Sequence, residues 1–209
     1  MGKKRLGHDI NVESWFQRGS NFYIAYLRLM REPQLMLQAI VLCAFVIETY
    51  LKILKAVEGE ARPLKEHNLL DLFDDLSDAS KDAMDAHWVM IFHETLSHQA
   101  MLMEAEPELA ALFEPRTMRN ALHEAQEAFV SFRYGADENP TGPITTGFGA
   151  FAMPDILLSQ ILGLRPDLDQ IRQKIFALLK PEVRQSEIIE RHYQRPRYSF
   201  TFGNIPQGQ

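Results

Sequence analysis

Apolar residues recur every three to four positions along most of the chain, which is the spacing of one face of an α-helix. Period-two alternation is nearly absent, so the sequence predicts an all-α fold without a sheet. Five longer or central helices are expected, followed by two or three shorter ones. Their predicted bounds are Ser14–Met30, Gln34–Val57, His67–Leu76, Ser80–Glu104, Pro115–Tyr134, Pro154–Leu162, Asp167–Leu179 and Pro181–Tyr193.

The second predicted helix is apolar on most of its faces, so we expect it to be the central and most buried one. In the third helix, apolar residues fall at helical spacing on a single face, which predicts the side that packs on the core. Those residues are Leu69, Leu72, Phe73 and Leu76.

Glycine and proline mark one clear break in the chain, between Gly135 and Gly149. It predicts a helical domain over residues 1–138, a linker or loop over 139–150, and further helices with a tail over 151–209. The tail, from Gln194 to Gln209, shows no periodicity and is rich in Arg, aromatic, Gly and Pro residues.

Composition is that of an ordinary globular protein, with 46% hydrophobic and 24% charged residues among 209. The formal charge of −6 disfavours a surface that binds polyanions all over, because phosphate binding depends on clustered Lys and Arg. A local basic groove remains compatible with that charge.

A single cysteine, Cys43, lies in an apolar run and predicts a reducing compartment and a buried, unreactive thiol. The longest apolar stretch, from Ile40 to Val46, is too short to span a bilayer. No targeting signal is recognised, so a cytoplasmic protein without membrane contact is expected.

Three sequence blocks together resemble the HEPN family of prokaryotic helical bundles. They are Ala44-x3-Glu48-x3-Lys52, then His67-Asn68-Leu69-Leu70-x-Leu72-Phe73, and later Ala128-Phe129-x2-Phe132-Arg133-Tyr134. The resemblance covers about residues 15–138. It implies an up-and-down bundle of four or five helices, here with a C-terminal helical extension, frequent homodimerisation, and an association with RNA in defence and toxin–antitoxin systems.

In active members of that family an Arg is followed, after four to six intervening residues, by a His on the late helix, and the pair forms a metal-independent ribonuclease site across a dimer. The Arg would stabilise phosphate charge and the His would transfer a proton. Arg133 occupies the expected place, but no His follows it. Arg116 and His123 have the required spacing and lie earlier on the same predicted helix. Arg62 and His67 also have it, but they lie in the loop after the second helix. Arg116 and His123 are therefore the candidate catalytic pair.

Glu48 and Lys52 lie four residues apart on the central helix, and the apolar residues around Glu48 predict that its carboxylate is buried. A buried carboxylate needs a partner, and we expect Arg133 to form a structural ion pair with it. His67 and Asn68 open the third helix, where they either cap it or contact RNA phosphate or a partner.

The tail residues Arg195, Arg197 and Tyr198 have the chemistry of base stacking and phosphate contact, and equally that of an arm docked on a neighbouring subunit. His93 and His98 are five residues apart and so lie on different sides of a helix, which argues against a zinc site. No metal or cofactor is expected.

The sequence therefore favours a HEPN-like protein, as a homodimer, that binds RNA or a partner protein in a prokaryotic defence or stress context without catalysis. A metal-independent endoribonuclease using Arg116 and His123 across a dimer is one alternative. A helical protein-interaction adaptor with no nucleic-acid role is the other.

Overall fold

The fold is seen in a computed structural model that describes residues 11–59, 66–105, 117–123, 125–126 and 152–178. These residues are helical or lie in turns, and none of them is in a strand, which confirms the all-α prediction. The helices are α1 (Val12–Leu29), α2 (Met36–Val57), α3 (Leu69–Asp74), α4 (Asp78–Ala105), α5 (118–123 and 125–126), α6 (Met153–Leu164) and α7 (Asp169–Phe176).

Helices α1 and α2 form an antiparallel hairpin. Phe16 stacks on Tyr50 with ring centroids 6.3 Å apart, and Phe22 meets Phe45 at 6.2 Å, so early residues of α1 face late residues of α2. Gly19 permits the close approach, because a Cβ there would lie 2.8 Å from Cε1 of Tyr50.

Helix α2 is the most buried element, as the sequence predicted. All six residues from 50 to 55 are buried, including two lysines. Each of the aliphatic side chains contributes about 1.5–3 kcal/mol when it leaves water. The core around α2 therefore holds the other helices in place.

Helix α3 lays its apolar face on α2, and its four predicted core residues are all buried. Glu58, just after α2, accepts hydrogen bonds from the backbone N–H of Ser77 at 2.9 Å and from its hydroxyl at 2.7 Å. Ser77 in turn caps α4, since its Oγ accepts from the N–H of Ser80. These bonds join the end of α2 to the start of α4.

Helix α5 runs antiparallel to α3. Arg119 donates two hydrogen bonds of 2.8 and 2.7 Å to Asp74 at the end of α3, whereas Oε1 of Gln126 accepts from the N–H of Leu69 at its start, at 2.9 Å. Asp85 of α4 accepts from the N–H of Met118 and so satisfies the first turn of α5.

Helices α6 and α7 pack into the same core as the hairpin. The hydroxyl of Tyr23 donates to Asp155 in the first turn of α6, and Gln160 donates to Ser80 of α4 at 3.0 Å. Arg28 of α1 donates to the carbonyl oxygen of Leu178, just after α7, at 2.9 Å. The predicted boundary at 139–150 lies outside the described residues.

Most predicted helix bounds differ from the structure by one to three residues, and two of the shifts have a clear local cause. Helix α3 begins at Leu69 and not at His67, because the Asn68 side chain accepts from the N–H groups of Leu70 and Asp71 and caps the helix. A 3-10 turn, Pro166–Leu168, replaces the start predicted at Asp167, and α7 follows it. The predicted helix at 181–193 lies outside the described residues.

Candidate functional site

A charged cluster lies where α2 approaches the start of α3, and we call it the α2–α3 site: Glu48, Lys52, His67 and Asn68. Nζ of Lys52 donates to Oε1 of Glu48 at 2.8 Å. Their side chains are only 7% and 12% exposed, respectively. Glu48 is therefore nearly buried, and its ion pair with Lys52 is no surface pair of negligible effect.

His67 contacts the same carboxylate oxygen as Lys52. Its Nδ1 lies 2.9 Å from Oε1 of Glu48, while its side chain is 72% exposed. The carboxylate fixes the ring through one nitrogen, and among the described residues nothing bonds to Nε2. A histidine oriented by a carboxylate with its other nitrogen accessible can exchange protons or hydrogen-bond with a bound molecule.

The backbone N–H groups at the start of α3 are already paired within the chain. Oε1 of Glu66 accepts from the N–H of Asn68 at 2.7 Å and of His67 at 2.8 Å, and these bonds lower the pKa of Glu66. The next N–H groups bond to Asn68 and Gln126. A phosphate at this helix start would have to displace these acceptors, so contact through the exposed His67 ring is the more accessible route.

The outward face of α3 is acidic. Asp71, Asp74 and Asp75 are all exposed and share one side of the helix. Arg119 holds the pKa of Asp74 below its usual range, and Lys55 donates to Asp75 at 2.6 Å. With Asp78, which pairs with Lys81, this part of the surface carries four carboxylates against three bases, Lys55, Lys81 and Arg119, and that balance opposes the approach of RNA phosphate.

His123 is exposed on α5, between Arg119 and Gln126 in the sequence. Those two residues bond to opposite ends of α3, so helical spacing places His123 on the side of α5 that lies along α3. The structure therefore brings both candidate histidines, His67 and His123, to the borders of α3, on different helices.

Several predicted site residues lie outside the described residues. They are Arg62, Arg116, Arg133, Arg195, Arg197 and Tyr198. The predicted pair of Glu48 with Arg133 therefore stays a prediction, but the partners that the structure gives Glu48 are Lys52 and His67. Helical spacing already pairs Glu48 with Lys52, but nothing in the sequence links either residue to His67.

A second polar group, a buried hydroxyl cluster, was not expected from the sequence: Ser20, Tyr23, Tyr26, Tyr50 and Asp155. Tyr23 donates to Asp155, and the hydroxyls of Ser20 and Tyr50 lie 3.4 Å apart. Burial, followed by the charge of Asp155, raises the pKa of Tyr23 well above its usual range. The helical spacing of the tyrosines in α1 indicates core packing, but nothing in the sequence indicates that Asp155 is their partner.

Cys43 is buried, as predicted, and it lies beside this cluster. Burial, with a further contribution from the charge of Asp155, raises the pKa of its thiol far above neutrality. A thiol in this state is a poor nucleophile.

In the described part of the chain, no three His, Cys, Asp or Glu side chains come together as a metal site. No helix there combines the length and the apolar character needed to cross a bilayer. Comparison of the chain with known protein families, with curated proteins and with solved structures gives no match in any of the three.

Proposed function

We propose that this protein is a HEPN-like helical bundle that binds a macromolecular partner at the α2–α3 site without catalysis, in a prokaryotic defence or stress context. The observation that carries the proposal is the exposed His67 ring, which the nearly buried Glu48 holds in a fixed orientation. A fixed polar group on a rigid core loses little conformational entropy when it binds a partner.

Of RNA and protein, the described surface favours a protein partner. The acidic face of α3 borders His67, and the backbone donors that a phosphate would use are paired with Glu66, Asn68 and Gln126. A basic or neutral protein surface would meet less electrostatic repulsion there than RNA would. If the partner is RNA, the tail residues Arg195, Arg197 and Tyr198 are the ones proposed to contact it.

The experiment compares wild-type protein with His67→Ala in two binding assays, filter retention of mixed cellular RNA and recovery of proteins from a bacterial lysate. His87→Ala on α4 is the matched control, since it removes the same side chain at another helix. A protein recovered by the wild type and by the control, but lost with His67→Ala, supports the proposal with a protein partner. RNA retention with the same dependence would make RNA the partner, and no binding that depends on His67 in either assay would refute the proposal.

The second candidate is a metal-independent endoribonuclease that uses Arg116 and His123 across a dimer. The exposed position of His123 on α5 favours it, because a histidine that transfers a proton must be accessible to the substrate. The test is cleavage of mixed cellular RNA in EDTA. Cleavage by the wild type that His123→Ala abolishes would establish the enzyme, whereas cleavage that His67→Ala abolishes would move the activity to the α2–α3 site.

An adaptor that binds only protein is the third possibility, and one observation favours it. Val89 and Met90 on α4 are 41% and 51% exposed, although large apolar side chains are usually buried. Loss of protein recovery with Met90→Lys, but not with His67→Ala, would locate the partner on α4.

A further inference from the structure

The hydrogen bonds of the α2–α3 site decide which tautomer the His67 ring adopts. Oε1 of Glu48 accepts from Nζ of Lys52 at 2.8 Å and lies 2.9 Å from Nδ1 of His67. The ion pair with Lys52 involves the ionised carboxylate, which can accept hydrogen bonds but has no hydrogen to donate. The hydrogen between His67 and Glu48 is therefore on Nδ1.

This tautomer makes the exposed nitrogen of the ring a hydrogen-bond acceptor. In an uncharged imidazole one nitrogen donates and the other accepts, so a hydrogen on Nδ1 leaves a lone pair on Nε2. The His67 side chain is 72% exposed, and among the described residues nothing bonds to Nε2. A group that binds there must therefore supply an N–H or O–H donor, which the phosphodiester groups of RNA lack.

Glu66, the residue before His67, adds a second acceptor. Its Oε1 accepts from the backbone N–H of Asn68 at 2.7 Å and of His67 at 2.8 Å, whereas its Oε2 has no bond within the described chain. These two hydrogen bonds lower the pKa of Glu66, and the charge of Lys52 adds to their effect. Glu66 is exposed, so solvent reaches an ionised carboxylate oxygen and Nε2 of the ring on adjacent residues.

The described charges around these two acceptors favour a cation. Lys52 is a base of this site, but its side chain is only 7% exposed and is paired with Glu48. Asp71, in the first turn of α3, is exposed and adds another carboxylate. The side chain of Asn68 is neutral, and its oxygen caps α3. A positively charged donor is therefore attracted to the exposed side of the site, whereas an anion is repelled.

Arginine has the side chain that matches two adjacent acceptors. Its guanidinium group is always charged and presents five N–H donors in a planar fork, so it can donate to a nitrogen and to a carboxylate oxygen at the same time. Charge-assisted hydrogen bonds of this kind are roughly twice as strong as bonds between neutral groups. The ammonium group of lysine is a point charge and lacks the fork.

We propose that the exposed side of the α2–α3 site binds an arginine side chain of a partner protein, with the guanidinium group donating to Nε2 of His67 and to Oε2 of Glu66. Glu48 then acts through His67, because it holds the ring in the orientation and in the tautomer that accept the guanidinium group. This inference rests on the proposed function, since it names the chemical group that a protein partner presents at the site.

The tautomer can be tested in the protein alone, without a partner. Long-range proton–nitrogen NMR spectra of isotope-labelled protein at about pH 8 distinguish a ring nitrogen that carries hydrogen from one that does not. The chain has seven histidines, and the signals that disappear in His67→Phe belong to His67. We expect Nδ1 of His67 to carry the hydrogen and Nε2 to be without one.

A small probe then tests the ligand. Nα-acetyl-arginine amide, titrated into the labelled protein, should shift the Nε2 signal of His67 in a saturable way. Nα-acetyl-citrulline amide has nearly the same shape without the charge and should bind about ten-fold more weakly. Nα-acetyl-lysine amide should also bind more weakly than the arginine probe, and inorganic phosphate should produce no saturable shift.

Glu66→Gln tests the second acceptor. The amide oxygen of Gln can still accept from the N–H groups of His67 and Asn68, but the charge is lost, so the affinity for the arginine probe should fall about three-fold. Glu13→Gln, at an exposed carboxylate on α1, is the matched control and should leave that affinity unchanged. Circular dichroism confirms that both variants are folded.

The proposal would be wrong if Nε2 of His67 carried the hydrogen, if the arginine probe gave no saturable shift, or if phosphate or the lysine probe bound as tightly as the arginine probe. Equal affinity for the arginine probe in Glu66→Gln and in the wild type would also overturn it. These results leave the proposed function standing with a partner that offers a different group. By contrast, equal recovery of lysate proteins by the wild type and by His67→Ala would refute the proposed function, and this inference with it, even where the arginine probe binds.

Discussion

Asp155 and Glu48, two carboxylates of the described residues, border the apolar core, and their surroundings differ. Asp155 meets neutral hydroxyls, with Tyr23 as its donor, between α1 and α6. Glu48 meets a cation, Lys52, and an imidazole that is mostly in solvent. Among the described residues, Glu48 connects the core to an exposed side chain, whereas Asp155 bonds to a buried one.

The comparison distinguishes a carboxylate with a structural role from a carboxylate whose bonded side chain is available for binding. A carboxylate bonded to a buried tyrosine fixes the position of one helix on another. A carboxylate that orients an exposed ring holds a solvent-facing group in place. The α2–α3 site is therefore the better candidate for function, although the hydroxyl cluster is the more deeply buried.

Lys52→Met should break the charged cluster with the largest effect. It leaves Glu48 nearly buried without its cation, and the free energy of unfolding should fall by about 3 kcal/mol. Urea unfolding measures this. The double variant with Glu48→Gln should recover most of the loss, and a single variant as stable as the wild type would show that His67 or solvent satisfies Glu48 alone.

Gly19→Ala tests the packing on which the hydroxyl cluster depends. The new Cβ would lie 2.8 Å from Cε1 of Tyr50 and 3.1 Å from Cγ2 of Thr49, so stability should fall by about 2 kcal/mol. Gly163→Ala is the matched control, because that helical glycine has open space around it and should gain about 0.5–1 kcal/mol. Equal changes in stability for the two variants would mean that α1 and α2 can move apart without loss of stability.

Tyr23→Phe removes the donor to Asp155. A hydrogen bond to a charged group contributes about 1.5 kcal/mol or more, and thermal unfolding should show a loss of that size. Tyr50→Phe, which removes only the weaker 3.4 Å contact with Ser20, should cost less. If Tyr50→Phe cost more stability than Tyr23→Phe, the main polar contact of the cluster would be the one between Tyr50 and Ser20.

Glu58→Gln should make the free energy of unfolding less dependent on pH in the acidic range. Burial acts to raise the pKa of Glu58, but hydrogen bonds from Ser80 and Ser77 outweigh it and the pKa is lowered. A carboxyl with a lowered folded pKa stabilises the fold above its unfolded pKa and loses that contribution as the pH falls through the folded value. Unfolding measured from pH 6 down to pH 3 should therefore show a shallower decline in the variant, and a parallel decline would contradict this role.

His67→Ala should have the smallest effect on stability, about 0.5 kcal/mol or less, because the side chain is mostly exposed. Its effect on partner binding should be large in comparison. A loss of stability like that of Lys52→Met would instead make His67 a structural member of the cluster, and the contrast with Asp155 would disappear.

Local sequence signals predicted much of the fold. Helical spacing located α1, α2 and α4 to within two residues at each end, and the buried face of α3 was predicted residue by residue. Of the site, the sequence indicated Glu48 with Lys52 at i,i+4 spacing and, apart from them, His67 with Asn68 at a helix start. It did not indicate that Lys52 and His67 share the Glu48 carboxylate.

The difference has a physical cause. Spacing, proline and capping residues act over a few positions, so the sequence by itself determined where helices form and which faces are apolar. Tertiary packing alone decided that Tyr23 reaches Asp155 across 132 positions, that α5 runs antiparallel to α3, and that His67 meets Glu48. Such contacts depend on how helices cross and on where loops return, and many pairings of the same helices satisfy the local pattern equally well.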